Sequence, residues 1–517
     1  MQILNLIHLT SLVQSTRNFK YMISNQKGTN LSWFISSLSL LLLSFAYLIV
    51  SPPNSGPDEI MHARTAWHVS KNPSAIALKT FIVTEELPGA LVIPNATHSF
   101  DHTACFTQRK DIPASCQNLS RQLKQTQTFY IYFHSVPYYM FIGTFQHMLA
   151  EHINPFLTAK ITSFVLCWII LFISFFRLRK VLPSFDPVSL FFLVSSSSLF
   201  LFGVVNPSSF EIVSAIYFAI SIVSVWKSNN QRNSFHFYIS SLFLTLSRPL
   251  GFVWILCMIL YCQIFQKNIG KLFKVNQIFL RSLIFLVPFF LFQIWLGYGW
   301  PSPLRIPRPN IVFYLEEAVR EFNESGQWYA HLFGILGAGE IQLPTLFVYL
   351  NVVSTVFILK FFASSNRLEK NRQYAVIVVC IFFVPTALQL VNSATWPVWW
   401  QGRYLIPVFV GLLILHLAQF HREGGLDSFS RWGALLAIIT HGYLAVITFA
   451  RFNWGLYDTT TPIIANGWSA NILLTSIFAI CFCVFLLGAY KTLNAKRFLI
   501  SVSKLLIDII PKKRSLP

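Results

Sequence analysis

Acidic residues are scarce in this chain, 19 Asp and Glu among 517 residues against 39 Lys and Arg. Charged residues of both signs total 11%, while hydrophobic residues reach 54%. A water-soluble enzyme of this size needs far more charge on its surface, so that class is excluded. No P-loop, no Rossmann glycine pattern and no G-x-S-x-G occurs, which removes the common nucleotide, dinucleotide and serine-hydrolase chemistries. His62, His68, His98, His102 and His134 fall near one another in sequence. No H-E-x-x-H or comparable ligand spacing joins them, so a divalent metal is not indicated and no cofactor is required. The formal net charge is +20, yet no basic stripe, zinc pattern or RNA-binding aromatic motif accompanies it, and nucleic acid is not an expected partner. Residues 1–30 lack a compact apolar signal segment with a small-residue cleavage site. The two halves show no internal repeat, which counts against a transporter built from inverted repeats. Low-complexity linkers and a separate soluble domain are missing as well.

What remains is a succession of long apolar runs, with 51 phenylalanines contributing. Such runs predict an all-α integral membrane protein, because a helix of about 20 apolar residues crosses a bilayer core. The expected spans are 31–50, 161–176, 187–205, 209–226, 236–247, 250–265, 277–298, 345–361, 374–391, 404–420, 432–450 and 469–490, twelve in all. The stretch 129–150 also reads as apolar, but if it crossed, the Arg177–Lys180 cluster would fall outside. The positive-inside rule therefore makes it a helix lying in the interface. With that choice, the inside loops and tails hold 23 of the 39 Lys and Arg but only 5 of the 19 acids. Residues 1–30 then form a cytoplasmic tail, 31–490 the membrane domain and 491–517 a basic cytoplasmic tail. The two large exterior loops are 51–159 and 299–344. The expected setting is a membrane with both termini on its cytoplasmic side.

Eight cysteines are present. Six lie in apolar spans as small core residues. Cys105 and Cys116 stand in the first exterior loop and are disulfide candidates if that loop faces an oxidising compartment.

The densest polar stretch is Ser51 to Ser70. Pro52, Pro53, Gly56 and Pro57 set an irregular loop where the chain leaves the first span. Asp58 and Glu59 follow, then His62, Arg64 and His68. A helix starting at Pro57 would bring Asp58, His62 and Thr65 onto one face. The acids could equally be a helix cap beside the interface. Glu211, Arg248 and Arg281 sit in or near spans, where an ionisable group is costly without a cavity or partner. Arg281 reads as snorkelling to the cytoplasmic interface. Glu211 could serve a site or merely pair with a neighbour. Arg248, in Ser247-Arg248-Pro249, breaks an apolar stretch and can face a cavity. Arg403, between Gln401 and Tyr404, is either an interfacial anchor or a phosphate ligand with paired donors.

With the expected topology, these residues lie together on the exterior. A carboxylate beside arginines suits sugar transfer from a lipid-linked donor: the acid takes the acceptor proton, and arginines stabilise the departing phosphate.

Pro57-Asp58-Glu59 with His62 and Arg64, Asn206-Pro207, Arg248-Pro249-Leu250-Gly251 and Gln401-Gly402-Arg403-Tyr404 resemble the motifs of a polytopic bacterial membrane-protein family of unknown function. Cys105-Phe106 and Ala114-Ser115-Cys116 match a further element. The resemblance covers roughly residues 35–450, and the family is similar to GT-C glycosyltransferases. It implies a GT-C-like bundle with juxtamembrane helices and a polyprenyl-phosphate-linked sugar as donor. The acceptor would be a glycan or lipid-linked chain. Asp58 would be the catalytic base, with Glu59 as its substitute. Arg403 and Arg248 would hold the donor phosphate. His62, Arg64, Gln401, Tyr404, Asn206 and Glu211 would line the substrate site. Departures are Ile131–Tyr139, where relatives tend toward a double proline, and Lys160, where an arginine is common. The competing classes are a glycan polymerase or ligase and a transporter or flippase.

Overall fold

A computed structural model describes residues 31–71, 90–92, 128–130, 135–183, 185–227, 231–265, 269–297, 316, 319, 330–336, 341–361, 367–393, 402–420, 429–454 and 472–493. Gln401, Cys105 and Cys116 lie outside them, as do His98, His102, His134 and the tails. The apolar runs form helices, and five are long and apolar enough to cross a membrane: 31–50, 155–181, 207–227, 370–388 and 432–453. Five shorter apolar helices accompany them. Among the described residues strand is confined to two short antiparallel pairs, Ala90–Val92 with Thr128–Tyr130 and Ile335–Leu336 with Ile341–Gln342.

In chain order the helices are α1 (31–50), α2 (Glu59–Lys71), α3 (Val136–Leu149), α4 (Pro155–Val181), α5 (Leu190–Leu193), α6 (Ser196–Phe202) and α7 (Pro207–Lys227). Then come α8 (Gln231–Ser247), α9 (Pro249–Phe265), α10 (Ile269–Gly297), α11 (Thr345–Phe361), α12 (Arg367–Val378), α13 (Val384–Ser393), α14 (Ile406–Phe420), α15 (Phe429–Trp454) and α16 (Ile472–Leu493). A π-helical turn at Val379–Phe383 joins α12 to α13.

Helix α7 is the axis of this bundle. Every residue from Pro207 to Val225 is buried, and α4, α8 and α14 surround it. A mostly apolar helix without an exposed face belongs in the interior. Helix α4 faces outward on one side, where Ile161, Val165, Ile169, Phe172 and Phe176 form an exposed stripe at helical spacing. In water such a stripe would be a liability; against lipid tails it is the natural outer surface.

The expected span 187–205 is not one helix. A 3-10 turn at Pro187–Ser189 leads into α5 and α6, separated by a break at Val194-Ser195. Four consecutive serines, 195–198, compete with the backbone for hydrogen bonds, and the Ser195 hydroxyl accepts the Ser198 N–H to start α6 afresh. His441 supplies what the break removes: its ring bonds the Phe191 carbonyl through Nε2 (2.9 Å) and the Ser196 hydroxyl through Nδ1 (2.6 Å). The broken segment still runs alongside α1 in the same direction. Phe185 meets Trp33, the Ser44 hydroxyl donates to the Leu199 carbonyl, and Gly203 lies against the backbone of Leu48.

Residues 136–149 form a helix of 14 residues, about 21 Å long and too short to span. Helix α3 packs along α2 and exposes Met140, Phe141, Phe145 and Met148. That is the form of a helix lying in the interface.

Candidate functional site

The turn between α1 and α2 positions the acid pair. Ser51, Pro52, Pro53, Ser55 and Gly56 are buried, and Asp58 is the one exposed residue from 51 to 59, its side chain 43% accessible. Two bonds hold this turn against the start of α7, and a third closes the turn on itself. The Glu59 carboxylate accepts the N–H groups of Gly56 and Val205, each at 3.1 Å. The Asn206 side-chain amide donates to the Pro57 carbonyl at 3.0 Å. Asn206 also caps α7, accepting the Ser208 N–H. From the opposite side Lys160 reaches the Ser51 carbonyl and lies 3.9 Å from Glu59. Gly56 is required here, because a Cβ would press on Val204.

The shared helical face expected for Asp58, His62 and Thr65 does not form. The helix begins at Glu59, and Asp58 has φ 56°, in the left-handed region that Asp tolerates better than most side chains. Asp58 is therefore turned off α2, whereas Glu59, His62 and Thr65 are buried. This divides the acid pair. Burial pushes the Glu59 carboxyl above the usual carboxylate range, opposed by the charge of Lys160 and the N–H groups of Gly56, Val205 and Ser55. Glu59 is enclosed as an anchor, and Asp58 faces outward.

Asp58 meets Arg403, whose Nη2 donates to its carboxylate at 3.2 Å. Arg403 comes from a short 3-10 turn, Gly402–Leu405, at the start of α14, and its guanidinium is nearly covered. The Tyr404 ring lies 5.3 Å from Arg403 and 4.8 Å from Arg248, so two guanidiniums border one aromatic ring. Arg248 stands in the one-residue gap between α8 and α9 and is 9% exposed. Tyr139 links the arginines to α2: it bonds His62 Nδ1 at 2.7 Å and interacts electrostatically with Arg248. Glu211, one turn into α7, accepts the Trp254 indole N–H at 3.0 Å.

Asp58, Arg403, Tyr404, Arg248, Glu211, His62 and Asn206 thus gather at one end of the bundle. Arg64 is half-buried two residues beyond His62, and its charge acts on His68. Among the described residues no group of three or more His, Cys, Asp or Glu is arranged to hold a metal. The structure adds residues that sequence reading passed over. Tyr139 and Trp254 were among many aromatics in apolar runs. His331, in the second large loop, is held near pKa 4 by burial and by the charge of Arg403. A lone histidine in a long loop carries no signal until the fold places it beside an arginine.

The pattern of one family, described as "Predicted membrane protein (DUF2142)", matches residues 41–412, a stretch containing every residue of this cluster, and the chain belongs to that family. No curated protein and no solved structure matches it.

Proposed function

Taking this DUF2142 membership as the premise, we propose that the chain is a membrane glycosyltransferase of GT-C type. It would move a sugar from a polyprenyl-phosphate donor to a cell-envelope glycan on the exterior face of the bacterial inner membrane. The observation that carries this reading is the contact of exposed Asp58 with buried Arg403, beside Arg248. A solvent-facing carboxylate provides a base, and two guanidiniums at the mouth of a membrane bundle provide a seat for a lipid phosphate.

The reaction is a single displacement with inversion. Asp58 removes the proton of the acceptor hydroxyl as its oxygen attacks the anomeric carbon. The bond from that carbon to the phosphate oxygen breaks, and its electron pair leaves on the polyprenyl phosphate, stabilised by Arg403 and Arg248. Phosphate is a good leaving group, so one essential carboxylate suffices and the paired carboxylates of glycosidases are not needed. Exposed α3 would lie in the outer interface, both termini in the cytoplasm, and the broken 187–205 segment would complete twelve crossings. Membrane vesicles given a labelled polyprenyl-phosphate sugar, with and without the protein, test the activity. Comparing the envelope glycans of a deletion strain and its parent identifies the product. An unchanged glycan profile together with no transfer in vesicles would refute it.

One observation favours a second reading. The Asp58 carboxylate already accepts a hydrogen bond from Arg403. In a glycan polymerase or ligase the arginines would carry the reaction and Asp58 would only orient Arg403. Activity that survives loss of both Asp58 and Glu59, but not of Arg403, would decide for it.

A further inference from the structure

We propose that Glu211, Trp254 and Arg248 form a hydroxyl-binding subsite that reads the sugar ring, separate from the phosphate-facing edge at Arg403 and Asp58. The inference rests on the glycosyltransferase reading above. Glu211 is fully buried at the head of α7, and its two oxygens are in different states. Oε1 accepts the indole N–H of Trp254, while Oε2 is buried and has no hydrogen-bond partner. An indole has a single N–H, so Trp254 fixes the carboxylate's orientation without satisfying its second oxygen. A buried acceptor left open in this way is costly, and native proteins fill such positions.

The nearest opposite charge does not close the gap. Arg248 interacts electrostatically with Glu211, yet among the described residues the two form no contact ion pair. The Arg248 guanidinium instead lies over the Tyr404 ring and bonds its hydroxyl. The pair therefore presents an acceptor and a set of donors that do not meet each other. A phosphate oxygen beside Oε2 would be repelled by Glu211, so the phosphate belongs on the Arg403 side of Arg248, and a cation beside Oε2 would be repelled by Arg248. A hydroxyl satisfies both, donating to Oε2 and accepting from the guanidinium. Neighbouring hydroxyls on a pyranose or furanose supply that arrangement, and the rings of Trp254 and Tyr404 supply apolar walls.

The test uses full-length protein in nanodiscs. The probes are farnesyl phosphate and its glucosyl, mannosyl, galactosyl and arabinosyl esters. Wild type should bind at least one glycosyl ester more tightly than farnesyl phosphate. Glu211→Gln and, separately, Trp254→Phe should weaken that ester about tenfold, the worth of a hydrogen bond to a charged group. Binding of bare farnesyl phosphate should not weaken. Thermal unfolding of each variant confirms that it is folded. Equal weakening of both probes would assign Glu211 a structural role and overturn the subsite. No effect on either probe would mean that only water fills the gap, and would overturn it as well. If wild type binds glycosyl ester and bare phosphate alike, the subsite fails while the donor reading survives. If it binds neither, both fail.

Discussion

Lys160 and Glu59 are both fully buried, 3.9 Å apart, and between them they tie α4 to the turn that carries Asp58. Glu59 spends its carboxylate on the N–H groups of Gly56 and Val205, and Lys160 donates to the Ser51 carbonyl. Removing one member leaves an uncompensated buried charge. Lys160→Met or Glu59→Gln alone should cost on the order of 3–5 kcal/mol, and the double variant should cost less than the two singles combined. Thermal unfolding in detergent checks this, and strictly additive losses would show that the two groups are not coupled.

Asp58→Asn keeps the shape of the exposed side chain and removes the base. Transfer should fall by at least about a hundredfold, the low end of what a general base contributes. Protein abundance in the membrane should be unaltered. Near-normal transfer would end the base assignment.

Arg403→Lys retains the charge but not the planar fork, and Arg403 is the residue most directly facing Asp58. The exchange should weaken binding of farnesyl phosphate by roughly tenfold, the scale of one lost charge-assisted hydrogen bond. Farnesyl phosphate affinity equal to wild type would remove Arg403 from the phosphate seat.

His68 and His331 are both held at a pKa of about 4, against the usual 6.5, by burial first and neighbouring positive charge second. Above pH 6.5 each is neutral whether folded or unfolded, and neither affects stability. Between 6.5 and 4 the unfolded chain takes up protons that the native state refuses, so stability falls as pH falls. The melting temperature should drop between pH 7 and pH 5, and His331→Gln should lessen that drop. A melting temperature insensitive to His331→Gln across this window would contradict the placement of His331 beside Arg403.

Gly143 on α3 lies so close to α2 that a Cβ would run into the Ala66 carbonyl and the Ser70 hydroxyl. Backbone cannot yield as a flexible side chain can. Gly143→Ala should push α3 from α2, shift Tyr139 away from His62 and lower thermal stability. An alanine variant with wild-type melting temperature and activity would show that this close approach is dispensable.

Much of the architecture was legible in the chain itself. The apolar runs named the helices, and the charge asymmetry argued that 129–150 lies in the interface, a reading with which the 14-residue length of α3 agrees. Aspartate, asparagine and the arginines were also visible as candidates, because ionisable groups stand out in so apolar a sequence. Two things were not visible. The serines at 195–198 fall inside the expected 187–205 span, although they break a helix that His441, more than two hundred residues away, then repairs. Nor could Asp58 be told from Glu59, adjacent residues with the same charge.

What the sequence alone determined, then, is a membrane bundle with its few acids and arginines at defined points along the chain. Hydrophobic length and loop charge are local properties, and local properties can be read residue by residue. Only the tertiary structure decided which carboxylate is enclosed and which is presented. Asp58 takes a left-handed conformation and turns outward to Arg403, while Glu59 begins a helix and turns inward to Val205 and Lys160. That choice depends on one backbone angle and on partners from three distant segments, none of which a linear sequence displays.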